Sequence, residues 1–402
     1  MTGAGERPGL ETPLTSTERD DLRRRFEARR KAADARMSDV FAFRPLERPF
    51  AAVTGAVYFF FGRAPQEIPA DYYTDPAVMV ASQERAQYEH LLAVDDDYVP
   101  YLMPWFGTVV AASAFGCRVS FPPGQDPAVD PTYYPIQSPE DIRRMRRPDP
   151  ERDGIMPKIL EVQRYMKANG TLPVGITDFQ GPLTTANQLM GYDKLIYLMY
   201  DDPAAMHQLM DTITTGLIDW VTAQKAVIGE DLHYCIGDQQ MYLGSNAGVW
   251  FSDDDAVLVD ADLYGEFVVP YNSRILTAFG GGVVHFCGNG THHAQNFLAT
   301  DGLVGLNTFT LHDLDATARL QSLMQDKVVL IVGDHTPLDY RAYFDALRTH
   351  LDPRGVAILS LYSPILGLLP DGRYEQTDRA VDGADDVYRE LLDAFGSTDA
   401  TH

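Results

Sequence analysis

The 402-residue sequence has few cysteines, few basic side chains and no long hydrophobic run. Its three cysteines, Cys117, Cys235 and Cys287, lie far apart and form no Cys-x-x-Cys pair. This excludes a disulfide framework and is typical of a reducing compartment, so we expect a cytoplasmic protein. No apolar stretch approaches the roughly 18–20 residues that a membrane-spanning helix needs. The first residues also lack the apolar region of a signal peptide.

Acidic residues outnumber basic ones, since the chain has 57 Asp and Glu but only 33 Lys and Arg. The resulting net charge is −24. Binding to nucleic acid depends on cationic side chains that release counterions from phosphates. Anionic membrane surfaces attract proteins through the same charge. We therefore expect neither nucleic acid nor a membrane as a partner, and we expect a small-molecule substrate. The hydrophobic content of 45% is sufficient for a large core.

The chain repeats one pattern, in which a short apolar strand and a polar or glycine-rich turn precede an amphipathic helix. The predicted strands are Phe50–Tyr58, Tyr98–Trp105, Leu172–Phe179, Leu232–Gly237, Val283–Cys287, Leu303–Asn307, Val328–Gly333 and Val356–Leu361. Apolar strands that alternate with helices indicate a buried parallel sheet. Eight such units favour a closed (β/α)₈ TIM barrel over an open sheet. No dinucleotide-binding or P-loop glycine motif follows any of these strands.

The predicted domain organisation is a single barrel domain at residues 17–395, with an N-terminal helical extension. Residues 1–16 and 396–402 are expected to be flexible tails, and the Pro- and Asp-rich residues 118–150 a surface excursion. Further predicted helices cover Lys158–Asn169 and the segment between the cap at Asp201-Asp202-Pro203 and Gly229. The N-terminal helix is predicted to begin near Thr17, where the sequence is similar to a capping box.

The most distinctive stretch is Val283–Cys287, which is followed by Gly288-Asn289-Gly290. In a strand, side chains two positions apart share a face, so His285 and Cys287 would lie side by side. An imidazole and a thiolate there can bind a soft metal or act in proton transfer and nucleophilic attack. The alternative is that both are packing residues, since cysteine is often buried as a small hydrophobe.

Other polar residues follow the remaining predicted strands, and a barrel gathers such residues at one rim. Asp178 and Asp238 are candidate catalytic carboxylates and His335 a candidate proton carrier, although both aspartates are also typical helix caps. Trp105 and Tyr58 are candidates for stacking against a flat ligand, or for ordinary core positions. Asn307 and Asn289 are further candidate substrate-binding residues.

Three segments of the chain carry a resemblance to a known family: Gly181-Pro182-Leu183-Thr184-Thr185-Ala186, Asp262–Tyr271 and Val284–Asn289. They resemble the uroporphyrinogen decarboxylase family in its broad sense. Asp262–Tyr271 is similar to that family's "PELFREFVLPY" helix, and Val284–Asn289 is similar to the methyltransferases' "H-x-C-G-N" strand. The family includes the decarboxylase and zinc-dependent methyltransferases that act on corrinoid, coenzyme M or folate partners. The resemblance implies a TIM barrel and an enzyme, but not a particular reaction.

Two departures from the family pattern bear on the reaction. The decarboxylase's arginine-rich "RQAGRY" segment is absent, although Arg44 and Arg48 lie near the corresponding place. The zinc methyltransferases have a further cysteine after the last strand, where this chain has Ser363, a poor zinc ligand. A zinc ion held by His285 and Cys287 would thus need a further ligand from His335 or Asp238. Otherwise no catalytic zinc is bound.

We therefore expect an enzyme closer to the methyltransferase branch, with a small-molecule, corrinoid or tetrapyrrole-type substrate. The second hypothesis is metal-free decarboxylation of a tetrapyrrole or other polycarboxylate, in which Asp238 or Asp178 stabilises the protonated intermediate. The third is a barrel that binds a corrinoid without turnover. A corrinoid protein is a further candidate partner, and a homodimer is compatible with the sequence.

Overall fold

The structure is a computed structural model that describes residues 8–55, 67–122, 126–309, 313–363, 366–368, 374–376 and 383–396. Tyr58, one of the predicted ligand-stacking residues, lies outside these ranges. Within them, no helix combines the length and the apolar character that crossing a membrane requires.

The core of the fold is a parallel six-stranded sheet flanked by helices. The strands, numbered along the chain, are β1 (Phe50–Gly55), β2 (Val119–Ser120), β3 (Ala128–Val129), β4 (Cys235–Asp238), β5 (Met241–Gly244), β6 (Val249–Ser252), β7 (Gly282–Phe286), β8 (Leu303–Thr308), β9 (Val329–His335), β10 (Val356–Tyr362), β11 (Leu366–Leu368) and β12 (Tyr374–Gln376). The sheet has the order β1-β10-β9-β8-β7-β6. Its strands are almost entirely buried, as expected for apolar strands covered on both faces.

Two extended segments bridge the gap between β1 and β6. Asp97 N–H donates to Ala51 O of β1 (2.9 Å), and Leu102 exchanges hydrogen bonds with Pro173 O and Gly175 N (both 2.8 Å). Farther along the second segment, Gln180 forms a parallel bridge with Ser252. The two segments therefore occupy the second and third strand positions of the predicted barrel.

Prolines explain why the predicted strands at Tyr98–Trp105 and Leu172–Phe179 form single bridges instead of regular ladders. Pro100, Pro104 and Pro173 have no backbone N–H, so each removes a donor from the ladder. The α/β barrel class predicted from the sequence is confirmed, with two of its positions irregular.

The predicted fourth strand, Leu232–Gly237, was wrong in its position. That part of the chain forms an antiparallel hairpin of β4 and β5, and the parallel strand next to β7 is β6. The hairpin turn consists of Gln239 and Gln240, which both have positive φ values, of 47° and 63°. Because such turns favour Asn-Gly or Gly, the sequence contained no signal for this one.

Fourteen helices cover the described residues around this sheet: α1 (Ser16–Phe41), α2 (Pro76–Ala93), α3 (Val110–Ala114), α4 (Pro139–Arg144), α5 (Met156–Asn169), α6 (Pro182–Met190), α7 (Tyr192–Asp201), α8 (Pro203–Ile228), α9 (Ala261–Phe267), α10 (Val269–Ala278), α11 (Ala294–Ala299), α12 (Leu314–Met324), α13 (Tyr340–His350) and α14 (Ala384–Gly396). The predicted helices at α5 and α8 are confirmed. Asp202 caps α8 by accepting from Ala205 N–H (3.1 Å), and Gly229 ends the helix in the left-handed conformation.

The N-terminal helix begins one residue earlier than predicted. Its cap is Thr15, whose hydroxyl accepts from Glu18 N–H, while Glu18 reaches back to Thr15 N–H (2.7 Å). Leu10 and Leu14, which the prediction assigned to a flexible tail, are buried. The predicted excursion at residues 118–150 contains the small hairpin of β2 and β3 and the helix α4.

Candidate metal centre at the end of strands β6 and β7

His285 and Cys287 lie together at the C-terminal end of β7. His285 is buried and Cys287 is exposed one position beyond the strand. The distance from His285 Nε2 to Cys287 Sγ is 3.3 Å. The two side chains therefore lie on the same face, as the spacing of the residues predicts.

Asn307 of β8 fixes the orientation of the His285 ring. Asn307 Nδ2 donates to Ile331 O (2.8 Å), so its Oδ1 faces the imidazole and hydrogen-bonds His285 Nδ1. The Nδ1 proton is then used within the protein, and Nε2 is the nitrogen that faces Cys287 and could bind a metal once it has lost its proton. In this structure Asn307, a predicted substrate-binding residue, supports His285.

Asp254 joins the pair as a third possible ligand. It begins the 3₁₀ turn Asp254–Leu258 that follows β6, and its Oδ1 lies 3.3 Å from His285 Nε2. One ligand atom from each of Asp254, His285 and Cys287 lies within 4.8 Å of the other two. Asp254 was not among the residues predicted from the sequence, because β6 was not predicted as a strand. A signal was present, since three aspartates follow the short segment Val249–Ser252, whose first three residues are apolar.

The two neighbouring aspartates hold Asp254 in place. Asp253 N–H donates to His285 O (2.7 Å), and its carboxylate accepts from Asn272 Nδ2 (3.0 Å) and the Tyr264 hydroxyl (3.2 Å). On the other side, Asp255 accepts from Asn187 Nδ2 (3.0 Å). These bonds connect the turn to β7 and the surrounding helices, so the Asp254 carboxylate is pre-positioned.

Electrostatics favour a charged carboxylate–imidazolium pair when no other group is bound. Burial disfavours protonated His285, but hydrogen bonds with Asp254 and Cys287 outweigh it and raise the histidine pKa to about 10. Burial also opposes ionisation of Asp254, yet His285 and Cys287 lower the pKa of its carboxyl. A metal cation that took the place of the proton on His285 Nε2 would be attracted by the Asp254 carboxylate and the Cys287 sulfur.

Asp178 and Asp238, the two predicted catalytic carboxylates, are buried near this cluster. Burial, the main cause, raises the pKa of Asp178 to about 7, opposed by the positive charge of His285. Burial and the charge of Asp178 raise the pKa of Asp238 well above its usual range. Their mutual influence and that of His285 indicate that the three side chains share the rim of the barrel.

Several other predicted residues lie outside the Asp254–His285–Cys287 cluster. His335, at the end of β9, is half-buried, and burial lowers its pKa. Trp105 is buried and donates to Asp126 Oδ1 (2.7 Å). Asn289 donates to Asp313 Oδ2 (3.3 Å) at the start of α12. Ser363 follows β10 and is buried.

An imidazole nitrogen, a thiolate and a carboxylate form a typical three-residue ligand set for Zn²⁺. Soft thiolate and borderline imidazole ligands select zinc over the hard cations Mg²⁺ and Ca²⁺. The exposure of Cys287 leaves one side of the cluster accessible, as a catalytic site requires for a substrate. The residues present therefore fit a zinc ion, with Asp254 in place of the further cysteine.

Residues 75–229 match the uroporphyrinogen decarboxylase (URO-D) family model. The curated uroporphyrinogen decarboxylase of Geobacillus thermodenitrificans is 30% identical over 206 residues, which are 48% of this chain and 53% of that protein. The enzyme of Aliivibrio fischeri is 26% identical over 232 residues, which are 54% of this chain and 58% of that protein. Over these parts of its length, the chain is similar to the uroporphyrinogen decarboxylases. It matches these relatives over little more than half of their length.

Among solved structures, a methyltransferase from Methanosarcina mazei superposes on this chain with a TM-score of 0.62. The superposition covers 90% of this chain and 98% of the methyltransferase chain. The sequence identity is 16%, so this similarity shows a shared fold and not a shared reaction. The family model and the curated relatives agree with the resemblance to this family that the sequence motifs indicated, and the solved structure shows the shared fold. Asp238, Asp254, His285 and Cys287 all lie outside the part of the chain that matches the family model.

Proposed function

We propose that the chain is a zinc-dependent methyltransferase of the URO-D type that acts on a small molecule. The observation that carries the proposal is the convergence of Asp254, His285 and Cys287 within 4.8 Å at the C-terminal end of the sheet. A decarboxylase with no need of a metal has no evident use for an accessible thiol beside an oriented imidazole and a carboxylate.

The roles of the chain's own residues follow from their contacts. Asp254, His285 and Cys287 would hold the ion, and Asn307 would keep His285 in the tautomer that offers Nε2. Bound zinc would supply a Lewis acid that favours the thiolate form of a substrate thiol. Asp178 and Asp238 line the same rim and would position the substrate and hold or accept a proton.

The proposal is tested by methyl transfer from a methylated corrinoid to a thiol, assayed with zinc-loaded protein. We expect turnover that a chelator abolishes and added zinc restores. Cys287→Ser and Asp254→Asn should each lower the rate at least about 100-fold, because each removes a ligand of the metal. Cys117→Ser is the matched control, since Cys117 is buried and hydrogen-bonded to Gln188 O. Full activity in the presence of chelator would refute the zinc-dependent mechanism.

A second candidate function is metal-free decarboxylation, and the raised pKa values of Asp178 and Asp238 favour it. A carboxyl with a pKa near 7 can both donate and accept a proton at neutral pH. Uroporphyrinogen would be the first substrate to assay, given the curated relatives. In this case Asp238→Asn should abolish turnover, while Cys287→Ser and chelators should leave it unchanged.

A further inference from the structure

Four buried side chains at the rim present oxygen acceptors that no described residue satisfies. They are both carboxylate oxygens of Asp178, Oδ2 of Asp238, and the amide oxygens of Gln180 and Gln240. The exposed fractions of these residues are 1%, 0%, 3% and 2%. Buried polar atoms without a hydrogen bond are rare in folded proteins, and each destabilises the fold. We therefore expect these four side chains to hydrogen-bond a ligand.

The four side chains belong to neighbouring parts of the rim. Asp178 and Gln180 end the extended segment that pairs with β6, where Gly181 N–H donates to Ser252 O (2.6 Å). Asp238 ends β4, and the charge of Asp178 raises its pKa. Gln240 reaches the end of β1, where its Nε2 donates to Gly55 O (3.0 Å).

The contacts of the two glutamines determine which atom each presents. Since Gln240 Nε2 is used at Gly55, its Oε1 is the atom left for a partner. The Gln180 side chain lies close enough to Asp254 to lower the pKa of the Asp254 carboxyl. The Oε1 atom of Gln180 has no hydrogen-bond partner among the described residues. When both carboxyls are ionised, every unsatisfied side-chain atom of this group is an acceptor, so the complementary ligand must supply hydrogen-bond donors.

Charge narrows the chemical class of that ligand. A positively charged partner would stabilise the ionised form of two buried carboxyls, and the net charge of −24 raises the local concentration of cations. A sulfonate, phosphate or carboxylate would be repelled by the ionised carboxyls and would find only acceptors beside them. A quaternary ammonium ion has the required charge but no N–H group to donate.

We propose that Asp178, Asp238, Gln180 and Gln240 bind an organic cation with N–H donors, such as a primary ammonium or guanidinium group. This extends the proposed function by assigning that cation to the substrate that reacts beside Asp254, His285 and Cys287. The cation site depends on the metal-binding residues only through their proximity. It can therefore be tested separately from methyl transfer.

The test measures binding of small probe ions to the full chain by calorimetry or ligand-observed NMR at constant ionic strength. The probes are propylammonium, guanidinium, tetramethylammonium and propionate. We expect propylammonium or guanidinium to bind at least about 10-fold more tightly than tetramethylammonium, since charge-assisted hydrogen bonds are lost with the N–H groups. Propionate should show no binding. Equal affinities of all three cations would indicate general attraction to an acidic protein and would overturn the proposal.

Two variants and a control locate the site. Asp178→Asn and Gln180→Leu should each weaken binding of the N–H cation about 10-fold or more. The control is Asp219→Asn. It removes one surface charge, since Asp219 pairs with Arg147 on the surface, and it should leave the affinity unchanged. The free Gln180→Leu protein should unfold at a higher temperature than the wild type, because it no longer buries an unpartnered oxygen. A lower unfolding temperature together with unchanged affinity would show that Gln180 is merely structural.

The same measurement on Cys287→Ser separates this proposal from the proposed function. If the N–H cation binds to this variant as it does to wild type, the cation site stands whether or not the protein binds zinc. Wild-type protein that binds zinc but none of the cations would contradict the cation site alone. Cation binding without zinc binding would contradict the methyltransferase proposal alone.

Discussion

At the residue scale, Asn307 illustrates how one side chain orients another, here the candidate metal ligand His285. Its amide hydrogen-bonds His285 Nδ1 and is itself fixed by Ile331 O. Metal-bound histidines generally need such a partner, and its loss weakens the metal site. The sequence analysis placed Asn307 at the correct strand end but could not distinguish a ligand-binding from a positioning role, because that depends on which neighbour the amide faces.

Replacing this amide tests the positioning role. Asn307→Ala should lower the affinity for Zn²⁺ about 10- to 100-fold without removing a ligand. The measurement is competition with a chromophoric chelator. Asn169→Ala is the control, since Asn169 is exposed and its side-chain amide donates to Tyr165 O (2.9 Å) within the same helix. An unchanged affinity of Asn307→Ala would show that the ring orientation is set by other contacts.

His293 gives a prediction about pH. It is buried, its Nε2 contacts Ala256 O (2.8 Å) in the turn that begins at Asp254, and burial lowers its pKa to about 4. The unfolded chain, with an ordinary histidine pKa near 6.5, therefore binds this proton more readily than the folded chain. Its contribution to stability is complete above pH 6.5 and is lost as the pH falls toward 4.

The variant His293→Gln keeps an N–H donor for Ala256 O but cannot take up the proton. Between pH 7 and pH 4, its unfolding temperature should fall less than that of the wild type, as measured by thermal scans across this range. Parallel curves for the two proteins would contradict the assignment of a buried neutral imidazole.

At the scale of elements, β1 is stabilised by two aspartates where a regular neighbouring strand is missing. Asp97 Oδ2 accepts from Ala51 N–H (2.9 Å), and Asp96 Oδ2 accepts from Val53 N–H (2.8 Å). Arg48 donates to both oxygens of Asp97 (2.7 and 3.0 Å). The carboxylates thus replace the carbonyl groups that a proline-interrupted segment does not offer in register.

Asp97→Ala should destabilise the fold by about 3 kcal/mol or more, because it leaves a strand N–H and a half-buried arginine without their partner. The control is Asp95→Ala, two residues away, whose side chain is fully exposed and pairs with Arg29 (3.0 Å). That change should have little effect, as is usual for surface ion pairs. Denaturant unfolding of both variants checks the difference, and equal losses would contradict the role assigned to Asp97.

The strand predictions show which elements can be recognised from sequence. Strands β7 to β10 are apolar runs bounded by polar turns, and they were predicted within a few residues. In contrast, β6 has four residues and directly follows the β4–β5 hairpin, so the apolar Leu232–Gly237 was taken for the fourth barrel strand. The hairpin depends on left-handed glutamines, whose conformation is imposed by tertiary contacts and has no counterpart in local propensity.

At the scale of the whole molecule, the barrel explains why distant residues form one site. His285, Cys287, Asp178 and Asp238 were predicted to meet because parallel strands deliver their C-terminal ends to a single rim. Asp178 agrees with that expectation, since Gln180 bridges Ser252 and Ser252 is paired with His285. Asp238 does not, because it ends β4 in the antiparallel hairpin. The parts of the rim that the sequence did not predict are irregular, and the candidate ligand Asp254 was not predicted because β6, the strand before it, was not predicted.

The central claim is tested most directly by the zinc content of protein purified without an affinity tag. Elemental analysis should give about one zinc per chain in the wild type and in Cys117→Ser. Cys287→Ser and Asp254→Asn should retain the fold but lose most of the metal, since each removes one of three ligands. Wild-type protein that neither carries zinc nor takes it up at micromolar concentration would contradict the account, as would an Asp254→Asn variant with full zinc occupancy and undiminished affinity.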